Sequence, residues 1–209
     1  MYNLVFNYFK VLLCFCFLLT TFQLGAKDEV KLRGESIQPD DLFPRVQLDT
    51  TAGKIIVELD RLRAPITSNN FLYYVTNGSY DGTIFHRVVK EFVVQGGGYN
   101  EHFTERKSEG AIYNESGNGL KNEMFTIAMA RENDPHSSTR QFYFNMADND
   151  NLDPGRSWGY TVFGNVTEGE EILELIANTK VHRHEELDWD DVPIRPIFLK
   201  KATLLKPQL

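Results

Sequence analysis

The chain has 209 residues, 42% of them hydrophobic and 12% aromatic, which is enough for one globular domain with a buried core and some additional segments. Its formal net charge of -7 at pH 7 argues against nucleic acid or an anionic membrane as the main partner. Both cysteines, Cys14 and Cys16, precede residue 27, so the rest of the chain has no disulfide and no thiol for nucleophilic or metal-binding chemistry.

Residues 1–26 have the pattern of a secretory signal peptide. A continuous apolar run, Val11–Leu19, follows Lys10, and the small residues Gly25 and Ala26 precede a charged stretch. This order predicts export and cleavage after Ala26. An uncleaved N-terminal membrane anchor is the alternative, although the apolar run is short for a membrane span.

The following residues predict an arm and then a single domain. Residues 27–44 are polar and contain Gly34, Pro39 and Pro44, which indicates an N-terminal arm before a domain at 45–209. Short apolar runs bounded by turn residues predict strands at Val46–Leu48, Ile55–Leu59, Thr83–Val89, Phe92–Gln95, Phe125–Ala130, Gln141–Met146, Tyr160–Val166 and Ile197–Leu204. The section Asn100–Lys121 has weak periodicity and is predicted to be irregular loop.

Two helices complete the set of elements. The first is predicted at Ala64–Thr76, with Pro65 in its first turn, and the second at Glu168–Asn178. The apolar face of the second helix is expected to consist of Ile172, Leu175 and Ile176. Many short strands with only two helices indicate a mainly β fold, and a closed barrel is favoured over an open sandwich, which stays an alternative.

An acidic segment near the C-terminus allows two interpretations. Residues 182–191 contain two histidines and five carboxylates: His182, His184, Glu185, Glu186, Asp188, Asp190 and Asp191. A metal site is one hypothesis, but the spacing matches no known ligand geometry. A solvated acidic loop is therefore predicted.

The most informative segment is Phe85–Gly98, which predicts a strand, a turn and a second strand that ends at three glycines. Because alternate strand residues share a face, Arg87, Phe92 and Gln95 are expected to gather on one surface as a peptide site. On spacing alone, an ordinary hairpin with a solvated arginine is the favoured interpretation of the segment. His86 is expected to point to the opposite face and to serve as a hydrogen-bonded structural residue.

This segment closely resembles the signature of the cyclophilin-type peptidyl-prolyl isomerases, FHR-x-x-x-x-F-x-x-QGG. Further motifs follow in the family's order, and the resemblance covers about Val46–Leu205: they are Asn69–Phe71, Tyr80–Thr83, Met129–Ala130, Gln141–Phe142 and Val162–Gly164. Two other stretches, Asn118–Asn122 and Ala147–Asp150, are most similar to the bacterial branch, including its exported members.

The resemblance implies a fold and an activity. The fold is a closed eight-stranded antiparallel β-barrel with an α-helix covering each open end. The activity is acceleration of rotation about X–Pro bonds, which assists folding and needs no metal or cofactor. The implied partners are proline-containing peptides and unfolded or partly folded proteins, the implied state is a monomer, and the implied location is the periplasm. A non-catalytic proline-peptide-binding chaperone module is the alternative function.

The resemblance also assigns residues. It implies catalytic roles for Arg87, Phe92 and Gln95. It implies substrate contacts for a further set: Val93, Tyr143 and Leu152 with Phe92 around the proline ring, Gln141 with Gln95 on the substrate backbone, and Ala130 and Arg131 at the residue before proline. Asn151 stands where many eukaryotic members have tryptophan, which implies weak cyclosporin binding. Tyr160 replaces a family histidine, and the hydroxyl of Tyr143, which replaces phenylalanine, needs a partner if it is buried.

Overall fold

The computed structural model describes residues 32–207, so the predicted signal peptide and the start of the arm lie outside the described residues. The strands are β1 (Arg45–Thr50), β2 (Lys54–Leu59), β3 (Thr83–Val89), β4 (Val93–Gly96), β5 (Thr126–Met129), β6 (Phe142–Asn145), β7 (Val162–Glu168), β8 (Val181–His184), β9 (Trp189–Pro193) and β10 (Phe198–Leu204). The helices are α1 (Pro65–Thr76) and α2 (Glu170–Ala177). Within this range, no helix is both long and apolar enough to cross a membrane.

Eight strands form a closed barrel in the order β1-β10-β3-β4-β6-β5-β7-β2, and every neighbouring pair is antiparallel. The barrel closes because β1 pairs with β2 on one side and with β10 on the other. The prediction of a closed barrel rather than an open sandwich is therefore confirmed. Closure leaves no strand edge of the barrel unpaired, which removes a common route to aggregation.

Helix α1 packs almost entirely inside the protein. Pro65 occupies its first turn, and its free backbone N–H groups are capped from a distant loop by Glu115. The Glu115 carboxylate accepts hydrogen bonds from the backbone nitrogens of Ile66, at 3.1 Å, and Thr67, at 2.8 Å. A negative charge at this end also suits the helix dipole. Phe71 then packs its ring among core aromatics, with its centroid 5.4 Å from that of Phe142.

Helix α2 is shorter than predicted, and its buried face matches the prediction at Ile172 and Ile176 but not at Leu175. It begins after Gly169, which has a left-handed backbone, and buries Leu173, Ile176 and Ala177. Leu175 is 60% exposed, so its assignment to the apolar face was wrong. The helix has apolar residues on two neighbouring faces. Packing against the barrel buries the face with Leu173 and Ile176 and leaves Leu175 exposed to solvent.

The predicted acidic loop is a β-hairpin, formed by β8 and β9. Trp189 anchors this hairpin, with its ring centroid 4.9 Å from that of Tyr99 and 6.0 Å from that of Phe103. Arg183 on β8 forms ion pairs with Asp188 and Asp190, which partly neutralise the acidic residues. Among residues 32–207, no cluster of three or more His, Cys, Asp or Glu side chains is arranged to hold a metal ion.

The described part of the predicted arm is bound to the barrel by a buried arginine. The Arg61 side chain is only 7% exposed, and its guanidinium donates hydrogen bonds of 2.5–2.9 Å to the carbonyls of Ile37, Gln38 and Asp41. Burial lowers the pKa of Arg61 from its ordinary value, and the carboxylate of Asp41 opposes that shift. The segment before β1 is therefore an ordered part of this unit.

Candidate active site

A row of side chains crosses the outer face of four neighbouring strands, β3, β4, β6 and β5. Strand pairing places Arg87 opposite Gln95, Gln95 opposite Tyr143, and Tyr143 opposite Ala128. Because side chains alternate along a strand, the adjacent residues Val94 and Phe144 point into the main core. The outward residues instead form a second apolar cluster, with Val93, Ala128, Tyr143 and Val162 at its centre.

A pocket of about 180 Å³ opens on this cluster, and we call it the Phe92 pocket. Nine of the eleven predicted site residues line it: Arg87, Phe92, Val93, Gln95, Ala130, Arg131, Tyr143, Leu152 and Tyr160. Gln141 lies beside the pocket and accepts a hydrogen bond of 3.0 Å from Gln95 Nε2 at its Oε1. Asn151 is exposed in a 3₁₀ turn, Asp150–Leu152, and does not line the pocket.

Arg87 lies at the edge of the Phe92 pocket. Its guanidinium carbon is 6.0 Å from the centroid of the Phe92 ring, and its Nη1 lies 3.5 Å from Gln95 Oε1. The other guanidinium donors make no hydrogen bond to any residue in the described part of the chain. A fixed cation with free donors beside an apolar pocket can stabilise negative charge or a lone pair on a bound group.

The floor of the pocket is Tyr143, which is 4% exposed. Its hydroxyl donates a hydrogen bond of 2.8 Å to Asn122 Oδ1, so the predicted need for a partner is met. Burial raises the pKa of Tyr143 well above its ordinary value, and the group stays a neutral donor. Asn122 is itself 2% exposed and was not anticipated from the sequence.

A buried polar network supports this floor. Asn145 Nδ2 donates to Asn122 Oδ1 at 3.2 Å, and Asn149 Nδ2 donates to Asn145 Oδ1 at 2.8 Å. Asn149 also donates to the carbonyl of Phe92 at 2.9 Å, which ties the network to the pocket wall. Asp153 Oδ1 accepts from Asn122 Nδ2 at 3.0 Å. Burial alone would raise the pKa of Asp153, but hydrogen bonds from Asn122 and contact with Lys121 outweigh it and lower the pKa.

Comparison with known proteins identifies this arrangement. Residues 45–203 match the family described as Cyclophilin type peptidyl-prolyl cis-trans isomerase/CLD. The chain belongs to the cyclophilin-type peptidyl-prolyl cis-trans isomerases. Peptidyl-prolyl cis-trans isomerase cyp18 of Streptomyces antibioticus is 44% identical over 164 residues, which covers 77% of this chain and 98% of that protein. Peptidyl-prolyl cis-trans isomerase B of Escherichia coli is 40% identical over 163 residues, covering 75% of this chain and 99% of that protein.

Solved structures agree with the fold. A cyclophilin type peptidyl-prolyl cis-trans isomerase of Cryptosporidium parvum aligns with a TM-score of 0.65 and 25% sequence identity. The alignment covers 79% of this chain and 99% of that chain. The mainly β barrel and the isomerase activity are thus established together by the family match and these relatives.

In this cyclophilin, Arg131 organises one wall of the Phe92 pocket. Its guanidinium carbon lies 4.5 Å from the centroid of the Tyr160 ring, which is close enough for a cation–π contact. The same guanidinium donates to the carbonyls of Trp158, at 2.8 Å, and Gly159, at 3.2 Å. Arg131 therefore fixes the loop that carries Tyr160. The Tyr160 ring meets that of Tyr143 edge-on at 5.9 Å.

Two larger cavities adjoin the Phe92 pocket of this cyclophilin. One, of about 270 Å³, lies on the side of Ala130 and Arg131 and also reaches Ser137; we call it the Ser137 cavity. The other, of about 450 Å³, lies between Arg87 and the β8–β9 hairpin, and we call it the hairpin cavity. Gln95 lines all three spaces, whereas Gln141 lines only the two larger cavities.

His86 does not point away from Arg87 as predicted, because both residues line the hairpin cavity. The pairing of β3 with β4 shifts register between Phe85 and Arg87, and this irregularity breaks the simple alternation of faces. His86 is 6% exposed, and its ring packs 4.8 Å from that of Tyr99. Burial, reinforced by the neighbouring Arg87 cation, lowers the pKa of His86 to about 4. Its Nδ1 has no hydrogen-bond partner among the described residues.

Proposed function

We propose that Arg87 is the catalytic group of this isomerase and that the Phe92 pocket holds the proline ring of the substrate. The observation that carries the proposal is the position of the guanidinium, which has free donors at the edge of an apolar pocket. Gln95 and Gln141, linked to each other at 3.0 Å, are suitably placed to hold the substrate backbone beside that pocket.

Isomerisation of an X–Pro bond requires stabilisation of a twisted amide and no covalent chemistry. The cis form of an X–Pro bond lies only about 0.5–1 kcal/mol above the trans form, but the barrier is about 18–20 kcal/mol because amide resonance is lost in the twisted state. Loss of resonance returns a lone pair to the proline nitrogen. A guanidinium that donates a hydrogen bond to that nitrogen stabilises the twisted state more than the planar ground state, which lowers the barrier.

The proposed substrates are proline-containing peptides and unfolded or partly folded proteins. A related Cryptosporidium parvum cyclophilin type isomerase, which aligns with a TM-score of 0.64 and 24% identity, was crystallised in the presence of the dipeptide Ala-Pro. In this chain, Tyr143, Val93 and Leu152 give the Phe92 pocket the apolar floor and walls that a proline ring requires. Ala130 and Arg131 are proposed to contact the residue before proline, in the Ser137 cavity.

We further propose that the isomerase is exported to the periplasm and acts there as a monomer. The apolar run at Val11–Leu19 and the small residues before Lys27 support export. N-terminal sequencing of protein recovered from an exporting host tests cleavage after Ala26, and a retained N-terminus supports a membrane anchor instead.

Two finer features complete the proposal. Helices α1 and α2 are proposed to cover the two open ends of the barrel, since Phe71 and Leu173 are both completely buried against the core. Cyclosporin is proposed to bind weakly because Asn151 offers a small polar side chain where many eukaryotic relatives have a tryptophan. Isothermal titration with cyclosporin tests this, and submicromolar affinity would contradict it.

The test of the catalytic role is a protease-coupled isomerisation assay on a short X–Pro peptide. We expect Arg87→Ala to lower kcat/KM by about 100-fold, the scale of losing one preorganised donor. Arg195→Ala, which removes an exposed arginine elsewhere, serves as the matched control and should retain activity. Full turnover by Arg87→Ala would refute the role of Arg87. Peptide binding without acceleration by the wild-type protein would favour the non-catalytic module.

A further inference from the structure

The hairpin cavity has a composition unlike that of the Phe92 pocket. One wall is shared with the active site and contains Arg87 and Gln95. The opposite wall is the β8–β9 hairpin, which contributes Asp188, Trp189, Asp190 and Asp191. At about 450 Å³ it is larger than the Phe92 pocket, at about 180 Å³, and it begins where that pocket ends.

One of these carboxylates is uncompensated. Asp188 and Asp190 both pair with Arg183, so the charges of these two residues are partly neutralised within the hairpin. The Asp191 carboxylate is half-buried in the cavity wall and forms no ion pair or hydrogen bond with any residue between 32 and 207. A carboxylate in that position is a ready partner for a cation supplied from outside the chain.

Apart from the Arg87 cation at the edge shared with the Phe92 pocket, the rest of the wall also suits a cation. The rings of Trp189 and Tyr99 meet edge-on at 4.9 Å and border the same space, and such rings attract a positive charge through their faces. His86 is 6% exposed, lines the cavity, and has an Nδ1 with no partner among the described residues. With a pKa of about 4, it is neutral at pH 7, so it does not repel a cation and carries an acceptor nitrogen.

The lining residues of the three spaces indicate which part of a bound substrate would reach the hairpin cavity. Ala130 and Arg131, proposed to contact the residue before proline, line the Ser137 cavity and are absent from the walls of the hairpin cavity. Arg87 and Gln95 separate these two directions, since both also line the Phe92 pocket. A chain that enters over Ala130 and places its proline in the Phe92 pocket continues towards the hairpin.

We propose that the hairpin cavity binds the positively charged side chain of a lysine or arginine that follows the proline, with the Asp191 carboxylate as its ion-pair partner. The isomerase would then prefer X–Pro bonds followed closely by a basic residue. This inference rests on the proposed location of the proline ring and deepens it by naming a class of substrate.

The test uses three peptides that share an Ala-Ala-Pro-Phe core and carry lysine, norleucine or glutamate at the position after phenylalanine. A second set carries the same three residues directly after proline, and a third carries them directly before it. Exchange NMR spectroscopy measures kcat/KM without a coupling protease, so the sequence preference of a protease does not affect the measured rates. At low salt, we expect lysine to exceed norleucine by about three- to tenfold at one of the two positions after proline, on the scale of an exposed ion pair with an aromatic contribution.

Two variants assign the preference to its residue. Asp191 has a positive φ of 61°, a conformation that asparagine also tolerates, so Asp191→Asn should fold. We expect Asp191→Asn to bring the lysine-to-norleucine ratio towards one. Glu185→Gln removes the same charge from the same hairpin at an exposed residue outside the cavity wall, and it should keep the wild-type ratio.

The outcomes distinguish failure of the proposed basic-residue preference from failure of the proposed catalytic site. Equal kcat/KM for lysine and norleucine at both positions after proline would overturn the inference, as would a lysine preference confined to the position before proline. A preference that persists fully in Asp191→Asn would overturn the role of Asp191. Failure of the wild-type protein to accelerate the norleucine peptides would instead refute the proposed catalytic site.

Discussion

The buried network beneath the Phe92 pocket allows a quantitative test through the pair Asn122 and Tyr143. Asn122→Ala removes three side-chain hydrogen bonds: those with Tyr143 at 2.8 Å, Asn145 at 3.2 Å and Asp153 at 3.0 Å. Asn145 keeps its hydrogen bond to Thr126, and Asp153 keeps the hydrogen bond that it accepts from the backbone nitrogen of residue 122. Of these three partners, only the buried Tyr143 hydroxyl is left without a hydrogen bond to a described residue.

These differences set the expected magnitudes. Leaving the buried Tyr143 hydroxyl without a partner should cost about 2 kcal/mol, and loss of the hydrogen bonds to Asn145 and Asp153 should cost about 1 kcal/mol each. Asn122→Ala should therefore lower the free energy of unfolding by about 4 kcal/mol. Tyr143→Phe removes the hydroxyl but leaves Asn122 bonded to Asn145, and should cost about 1 kcal/mol. The double variant leaves no orphaned hydroxyl and should cost about 3 kcal/mol, which is about 2 kcal/mol less than the sum of the single effects.

Urea unfolding followed by circular dichroism measures all four proteins, provided that the dependence on urea concentration has the same slope in each. Asn151→Ala, an exposed asparagine in the nearby 3₁₀ turn, is the control and should change the free energy of unfolding by less than about 0.5 kcal/mol. Additive effects of the two substitutions, within about 0.5 kcal/mol, would show that the two groups are not coupled and would refute this reasoning.

Three further predictions concern other parts of the molecule. Arg61→Ala should lower the free energy of unfolding by about 2–4 kcal/mol and make residues 32–44 sensitive to limited proteolysis, because three carbonyls lose their buried donor; unchanged protection would contradict this. The folded-state pKa of His86, about 4, lies below its ordinary value of 6.5, so the unfolded chain binds the proton first as the pH falls. Stability should therefore fall between pH 6.5 and pH 4, by up to about 3 kcal/mol from this group, and His86→Gln should show a shallower fall in urea titrations across that window. In Gly98→Ala, the new Cβ would lie 2.6 Å from Gln141 Cγ and displace that amide, so kcat/KM should fall about tenfold while Gly155→Ala, with no atom within 4 Å, stays at the wild-type value; equal activity would show that Gln141 does not hold the substrate.

The barrel strands could be predicted because their signals are local. Short apolar runs such as Ile55–Leu59 and turns such as residues 51–53 determine their own conformation, and the structure has strands at all eight predicted places. The β8–β9 hairpin was missed because its stability comes from distant contacts. Its charged residues dominate its composition, whereas Trp189 is held by Tyr99 and Phe103, far away in the sequence.

The site shows the same division between local and distant causes. Pairing of neighbouring strands brings Arg87, Gln95 and Tyr143 into one row, so residues assigned from a motif fall together in space. The supporting asparagines, Asn122 and Asn145, were not predicted, because the burial of a polar residue beneath a tyrosine hydroxyl depends on tertiary contacts that the local sequence does not indicate. The position of His86 depends on a register shift in strand pairing, which the period of two does not reveal.

The position of the proposed active site on the outer face of the barrel separates two kinds of constraint along the same strand. Val94 and Phe144 are shielded inside, whereas their neighbours Val93 and Tyr143 line the Phe92 pocket, the proposed site for the proline ring. Substrate preference can therefore diverge at every second residue without repacking the interior. We expect conservative apolar substitutions at Val93 to leave the interior packing intact while peptide preferences change, which makes this barrel a suitable scaffold for altered specificity.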